Sequence, residues 1–215
     1  MGSDREALRF VVASNAASLG FTLAVKNNNA APMQFTLLYR GPLKSNARPK
    51  AKHELRQHFH RQLRQLWSTF PLKEYAEWLQ PLSEKNEISV LRAKHGFTFA
   101  PLVCKSMHAA AELDIRLLWP QAPGSIFSSG GDIDNRLKTL FDALKLPSES
   151  TALPAGVLPQ RDESPFFCLL EDDNLITRVS VDTDRLLETT KGPAEVVLII
   201  RVVTRNLGDT WDAPP

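Results

Sequence analysis

Residues 34–39 are rich in β-branched and aromatic side chains and are closed by Gly41-Pro42, which predicts a strand. Over residues 52–70 the period changes. Leu55, Phe59, Leu63, Leu66, Trp67 and Phe70 recur every three or four positions, the pattern of an amphipathic helix with Arg56, His60 and Arg64 on its polar side. Residues 71–87 read as irregular or partly helical. Residues 88–92 and 96–103 read as a hairpin turning at Ala93-Lys94-His95-Gly96. Leu113, Ile115, Leu117 and Trp119 alternate with Glu112, Asp114 and Arg116, which marks a half-buried strand. A Pro/Gly/Ser-rich loop, 120–131, precedes a helix running from near Asp132 to about Leu146. Pro147, Pro154, Pro159 and Pro165 make 147–165 a loop. Residues 166–170 form a short apolar strand, 171–174 a turn and 175–181 another strand, while the aliphatic run 196–203 is expected to be buried on both faces. Strands interrupted by two principal helices predict an α+β fold, a mixed β-sheet with helices packed on it.

A chain of 215 residues fits one domain with extensions, and 43% hydrophobic with 23% charged residues is ordinary for a soluble protein. The net charge of +2 conceals a segregated pattern. Arg40, Lys44, Arg48, Lys50, Lys52, Arg56, Arg61 and Arg64 face a single acid, Glu54, while acidic knots lie in the second half. Cys104 and Cys168 have no paired spacing, so a disulfide framework or zinc site is not expected; both read as small core residues of strands in a reducing cytoplasm. No apolar run is long enough to span a membrane. Residues 1–32 end in Asn27-Asn28-Asn29-Ala30-Ala31-Pro32 and read as an N-terminal extension; 33–205 is the expected functional domain, and 206–215 a tail.

The densest chemistry lies in Gly131-Asp132-Ile133-Asp134-Asn135-Arg136-Leu137-Lys138, continuing to Asp142. At about 100° per residue, Ile133, Leu137, Leu140, Phe141 and Leu144 share one side, and Asp134, Lys138 and Asp142 form a ladder on another. Asp132 and Asp134 at a helix start can cap free N–H groups and favour the dipole. They can equally bind a cation together with the second knot, Glu171-Asp172-Asp173, which lies between two apolar strands. Oxygen ligands from separate elements suit Mg2+; Leu137 stands where a calcium loop needs glycine, and neither knot holds a histidine for a transition metal.

The series Asp132-Ile133-Asp134-Asn135-x-x-Lys138, followed by Asp142-Ala143-Leu144 and then Asp172-Asp173, resembles the RusA-type Holliday junction resolvases. The strand at 34–39 with Gly41-Pro42-Leu43-Lys44-Ser45-Asn46-Ala47-Arg48-Pro49 is similar to the first strand and the Pro/Arg-rich loop of that family. The resemblance covers residues 33–205. It implies a RusA-like resolvase fold and a Mg2+-dependent endonuclease, with Mn2+ able to substitute. Asp132, Asp134 and Asp173 are then the metal-binding catalytic carboxylates, Asp172 is a supporting ligand, and Lys138 assists at the phosphate. Asn135 and Asp142 are supporting residues, with Asp142 positioning Lys138.

Lys44, Arg48, Lys50 and Arg56 are the expected contacts to the DNA backbone, because lysines and arginines that neutralise phosphates give sequence-independent affinity. The partners implied are a four-way DNA junction and a second copy of the chain, since paired nicks need two sites. Two departures from the family pattern are a longer linker through 147–165 and an enlarged region 50–110. A nuclease for flaps or forks, and a DNA-binding protein whose acidic knots are structural caps, remain open beside the main reading.

Overall fold

The computed structural model describes residues 32–121, 133–192 and 194–207. Most of the expected extension (1–31), Asp132 with the loop before it, and the end of the tail lie outside the described residues.

Alternation buries Leu37 and Tyr39 and leaves their neighbours open along the first strand, β1 (Gln34–Pro42). Tyr39 folds over the strand end, its hydroxyl donating to Pro42 O at 3.0 Å. A Cβ on Gly41 would lie 2.5 Å from that hydroxyl, so a larger residue there would have to displace the Tyr39 ring. The first long helix, α1 (Pro49–Trp67), follows with proline in its opening turn. Residues Leu72–Leu79 form a kinked 3-10 segment. The hairpin β2 (Arg92–Lys94) and β3 (Phe97–Val103) turns at His95 and Gly96, whose φ values of 52° and 80° match the twist of a two-residue hairpin. Then come β4 (Ala109–Trp119), α2 (Ile133–Leu144), β5 (Phe166–Leu170), β6 (Ile176–Arg185) and β7 (Glu195–Asn206).

The strands form two sheets, one in the order β1-β7-β4-β6 and a smaller one in the order β2-β3-β5. In the larger sheet β7 runs antiparallel to both β1 and β4, and β4 is parallel to β6. Parallel neighbours need a crossover, and α2 with β5 supplies it. The fold is therefore α+β with mixed sheets and helices. Among the described residues no helix is long and apolar enough to cross a membrane.

Four expectations change. The first hairpin strand, expected at 88–92, is Arg92–Lys94, and the turn is His95-Gly96 alone because Lys94 pairs with Phe97. Val196, Leu198, Ile200 and Val202 of β7 are buried, but of the alternate residues only Val203 is; Val197 and Ile199 are partly covered and Arg201 is exposed. The buried set shares one core with Leu37 of β1 and with Leu55, Phe59 and Leu63 of α1, so β7 is buried mainly on one side, as mixed and antiparallel sheets allow. Cys104 lies just beyond β3 rather than in it, although both cysteines are buried and free as expected. Finally, α1 has no broad polar side. His53, Arg56 and His60 are buried along with Leu55, Phe59 and Leu63, because α1 packs on β5 and α2 as well as β1.

His60 shows how a polar residue is accommodated there. Its Nδ1 accepts the Phe167 N–H at 2.9 Å, so the ring is neutral and its Nε2–H donates to Asp162 O at 3.1 Å. Burial holds the His60 and His53 imidazoles below their ordinary range. The unfolded chain takes up protons near pH 6.5 while the folded rings stay neutral, so stability falls as pH drops below about 6.5. Urea unfolding between about pH 7.5 and about pH 5.5 is expected to show a falling midpoint, with a smaller fall in His60→Gln. A midpoint that holds or rises over that range would show that the buried rings are not excluded from protonation.

Candidate functional site

The helix α2 buries Leu140, Ala143 and Leu144, and leaves Asp134 and Lys138 exposed with Asp142 half-buried. Its apolar face also includes Arg136 and Thr139, and these two seat the basic loop. Arg136 stacks over the Trp119 ring at 4.3 Å and its Nη1 donates to Leu43 O. The Ala47 N–H donates to Thr139 Oγ1 at 3.3 Å. Leu43 itself is completely buried, so the loop between these anchors lies across the first half of α2. Lys44 and Arg48 are exposed beside it, and Lys50 follows in the first turn of α1. Two motifs some ninety residues apart in sequence are thereby brought into contact.

The second acidic knot meets the other end of α2. Leu146 N–H donates to Leu170 O at 2.9 Å, which docks the C-terminal end of the helix on the end of β5. The turn that follows carries the chain from the small sheet to the large one, so its flanking strands belong to different sheets. Lys145 Nζ lies 2.6 Å from Asp173 Oδ2 and 4.0 Å from Asp142 Oδ1, and Lys52 Nζ lies 2.6 Å from Asp142 Oδ2. A row of alternating charge, Lys52–Asp142–Lys145–Asp173, thus links α1, α2 and the acidic turn. The Lys145 ammonium holds the Asp173 carboxyl below the usual aspartate range. Asp172 caps its own turn, accepting the Asn174 N–H at 3.0 Å. Glu171 points elsewhere, to Arg92 at 2.9 Å and to the Lys105 N–H at 2.8 Å.

The described residues therefore bring together Asp142 and Asp173, around Lys145. Asp134 stands at the opposite end of the helix, and at 1.5 Å per residue its Cα lies about 16 Å from that of Lys145 along the axis. Among the described residues no group of three or more His, Cys, Asp or Glu side chains could hold a metal ion. Asp132, the other carboxylate of the motif, lies outside them. Mg2+ requires several converging oxygens, and the described donors do not supply that arrangement.

Two roles expected from the sequence are corrected. Asp142 does not position Lys138; it pairs with Lys52 and Lys145, because the end of α2 is pressed against α1. Arg56 is not a DNA contact. It is 1% exposed, and its Nη2 donates to Asp142 O at 2.8 Å, capping the C-terminal end of α2 where the helix dipole favours a cation. Burial pulls its guanidinium down to about 10, and its Nε and Nη1 have no hydrogen-bond partner. Asn135 is half-buried in the first turn of α2.

Sequence reasoning missed Lys145, Arg136 and Thr139. Lys145 carried a signal, its three-residue spacing from Asp142. Arg136 also did, because it occupies an apolar-face position, three residues after Ile133 and four before Leu140. Comparisons with protein families, with characterised proteins and with solved structures found no match.

Two measurements separate structural from surface roles here. Arg56→Ala is expected to lower unfolding free energy by about 2 kcal/mol or more, through lost packing and an orphaned helix-end carbonyl, against almost nothing for exposed Arg61→Ala. Equal stabilities for the two variants would refute the capping role. NMR titration of carboxyl carbons should find Asp173 ionising below the ordinary aspartate value and returning toward it in Lys145→Gln. Because the folded value is the lower one, the pair's contribution is present above about pH 4 and disappears in stronger acid. An Asp173 titration indifferent to Lys145 would show that the ion pair does not form in solution.

Proposed function

We propose that this chain is a metal-dependent endonuclease of RusA type that cuts branched DNA, resolving four-way junctions by paired phosphodiester nicks. The observation that carries the reading is the seating of the loop bearing Lys44 and Arg48 on the helix bearing Asp134 and Lys138, through the Arg136 and Thr139 anchors. A phosphate backbone drawn to the loop cations would lie alongside the exposed Asp134 carboxylate and Lys138, charges of the kind that phosphodiester cleavage uses. The dependence on Mg2+, with Mn2+ able to replace it, enters through the Asp132-x-Asp134 motif rather than through an assembled ligand set. Lys138, exposed on the same stripe, is the group proposed to offset charge on the phosphate. Two opposed nicks call for a homodimer, which belongs to the same proposal.

One observation favours a second reading, a DNA-binding protein whose acidic knots are structural. Asp172 caps its own turn and Asp173 is tied to Lys145. A nicking assay with Mg2+ on synthetic four-way junction, fork and linear duplex DNA distinguishes them. The expected result is paired, junction-selective nicking that falls at least about a hundredfold in Asp134→Asn, with DNA binding retained. Cleavage of every branched form points to a broader nuclease. Binding by the wild-type chain without cleavage assigns it to the second reading.

A further inference from the structure

The start of α1 opens onto a groove of about 710 Å³, lined by Arg48, Pro49 and Lys50, by residues from the 150–157 segment and by His95. None of the lining residues carries a carboxylate. Arg48 and Lys50 are exposed at the rim and face the exposed hydroxyl residues Ser150 and Thr151, while buried Leu153 and half-buried Pro154 and Val157 make an apolar floor. The nearest acid in the sequence, Glu149, accepts the Thr151 hydroxyl at 3.1 Å and is not part of the lining. The 150–157 segment is held in place, since His95 Nε2 lies 3.4 Å from Ser148 O and Leu153 belongs to the core around Phe97, Phe99 and Phe166. The first turn of α1 adds no acid and no side-chain cap, so its dipole reinforces the rim cations.

We propose that this groove binds a nucleic-acid strand through its phosphodiester backbone, with phosphates on Arg48 and Lys50 and the sugar and base edges against the Leu153 and Val157 floor. A cationic rim over an apolar floor matches a strand that presents charge on one side and flat apolar surface on the other. The groove begins at Arg48, one residue beyond the Ala47 amide held by Thr139, so a strand lying in it continues toward α2. The Pro-rich segment after α2, which departs from the resolvase pattern, thereby acquires a role as one wall of a substrate groove. The inference rests on the nuclease reading for what happens to the strand, and not for its binding.

The test is fluorescence polarisation of the full chain with a labelled oligothymidylate of about 12 nucleotides, in EDTA so that binding is read without cleavage. Lys50→Glu and Ala155→Trp, which reverse a rim charge and fill the groove, are each expected to weaken binding about tenfold, and Lys50→Glu to flatten the salt dependence by about one unit of slope. Lys73→Glu, exposed and outside the groove, should bind as the wild type does. Lys50→Glu puts an acid into the first turn of α1, which favours the helix, and an unchanged thermal melt of the variant separates weaker binding from unfolding. Undiminished binding by both groove variants overturns the proposal, as does displacement by poly-glutamate that equals displacement by unlabelled oligonucleotide. A wild-type chain that binds through the groove but nicks no DNA with Mg2+ removes the nuclease reading and upholds the groove. Nicking by a chain whose binding ignores both substitutions does the reverse.

Discussion

A buried guanidinium fixes how the two helices meet. Arg56 is sealed between α1, α2 and β5, with one nitrogen on the Asp142 carbonyl at the end of α2. Burial disfavours a charge strongly, and this one is kept because a helix C-terminus concentrates partial negative charge where the cation sits. Once Arg56 holds that carbonyl, the Asp142 side chain lies within reach of Lys52, and Lys145 within reach of both Asp142 and the acidic turn. The charge row at that end of α2 follows from one buried contact.

The two ends of α2 are consequently different environments. At the C-terminal end the carboxylates are neutralised by lysines and serve to hold elements together. At the N-terminal end Asp134 and Lys138 face solvent, and the neighbouring basic loop is fastened by groups on the helix's inner side, so its own cations stay free of that task. Exposed charge that no contact among the described residues consumes is the charge available to a ligand. For this reason the nuclease proposal leans on the first half of α2.

The 147–165 segment is an integral part of the fold. Leu153 enters the smaller core, Glu163 is buried and accepts from Gln57 and from the Gln160 N–H, and Asp162 O receives His60. These contacts roof the side of α1 that a helical wheel marks as polar. They also explain why His53 and His60 are inside, and why the segment stands rigidly enough opposite Arg48 and Lys50 to form a groove wall.

Local pattern determined much of this protein. The strands expected at 34–39, 96–103, 112–119 and 166–170 and the existence of both helices follow from periodicity and turn chemistry, which act within a few residues; the ends of several elements and the first hairpin strand lie elsewhere than expected. The acidic stripe of α2 and the basic loop were legible for the same reason. Tertiary structure alone decided that Arg56 is a helix cap, that Asp142 and Asp173 share Lys145, that β7 is covered mainly on one face, and that β5 and β6 belong to different sheets. Each depends on which distant segment packs against a residue, and a sequence records the side chain's chemistry but not the neighbour that will cover it.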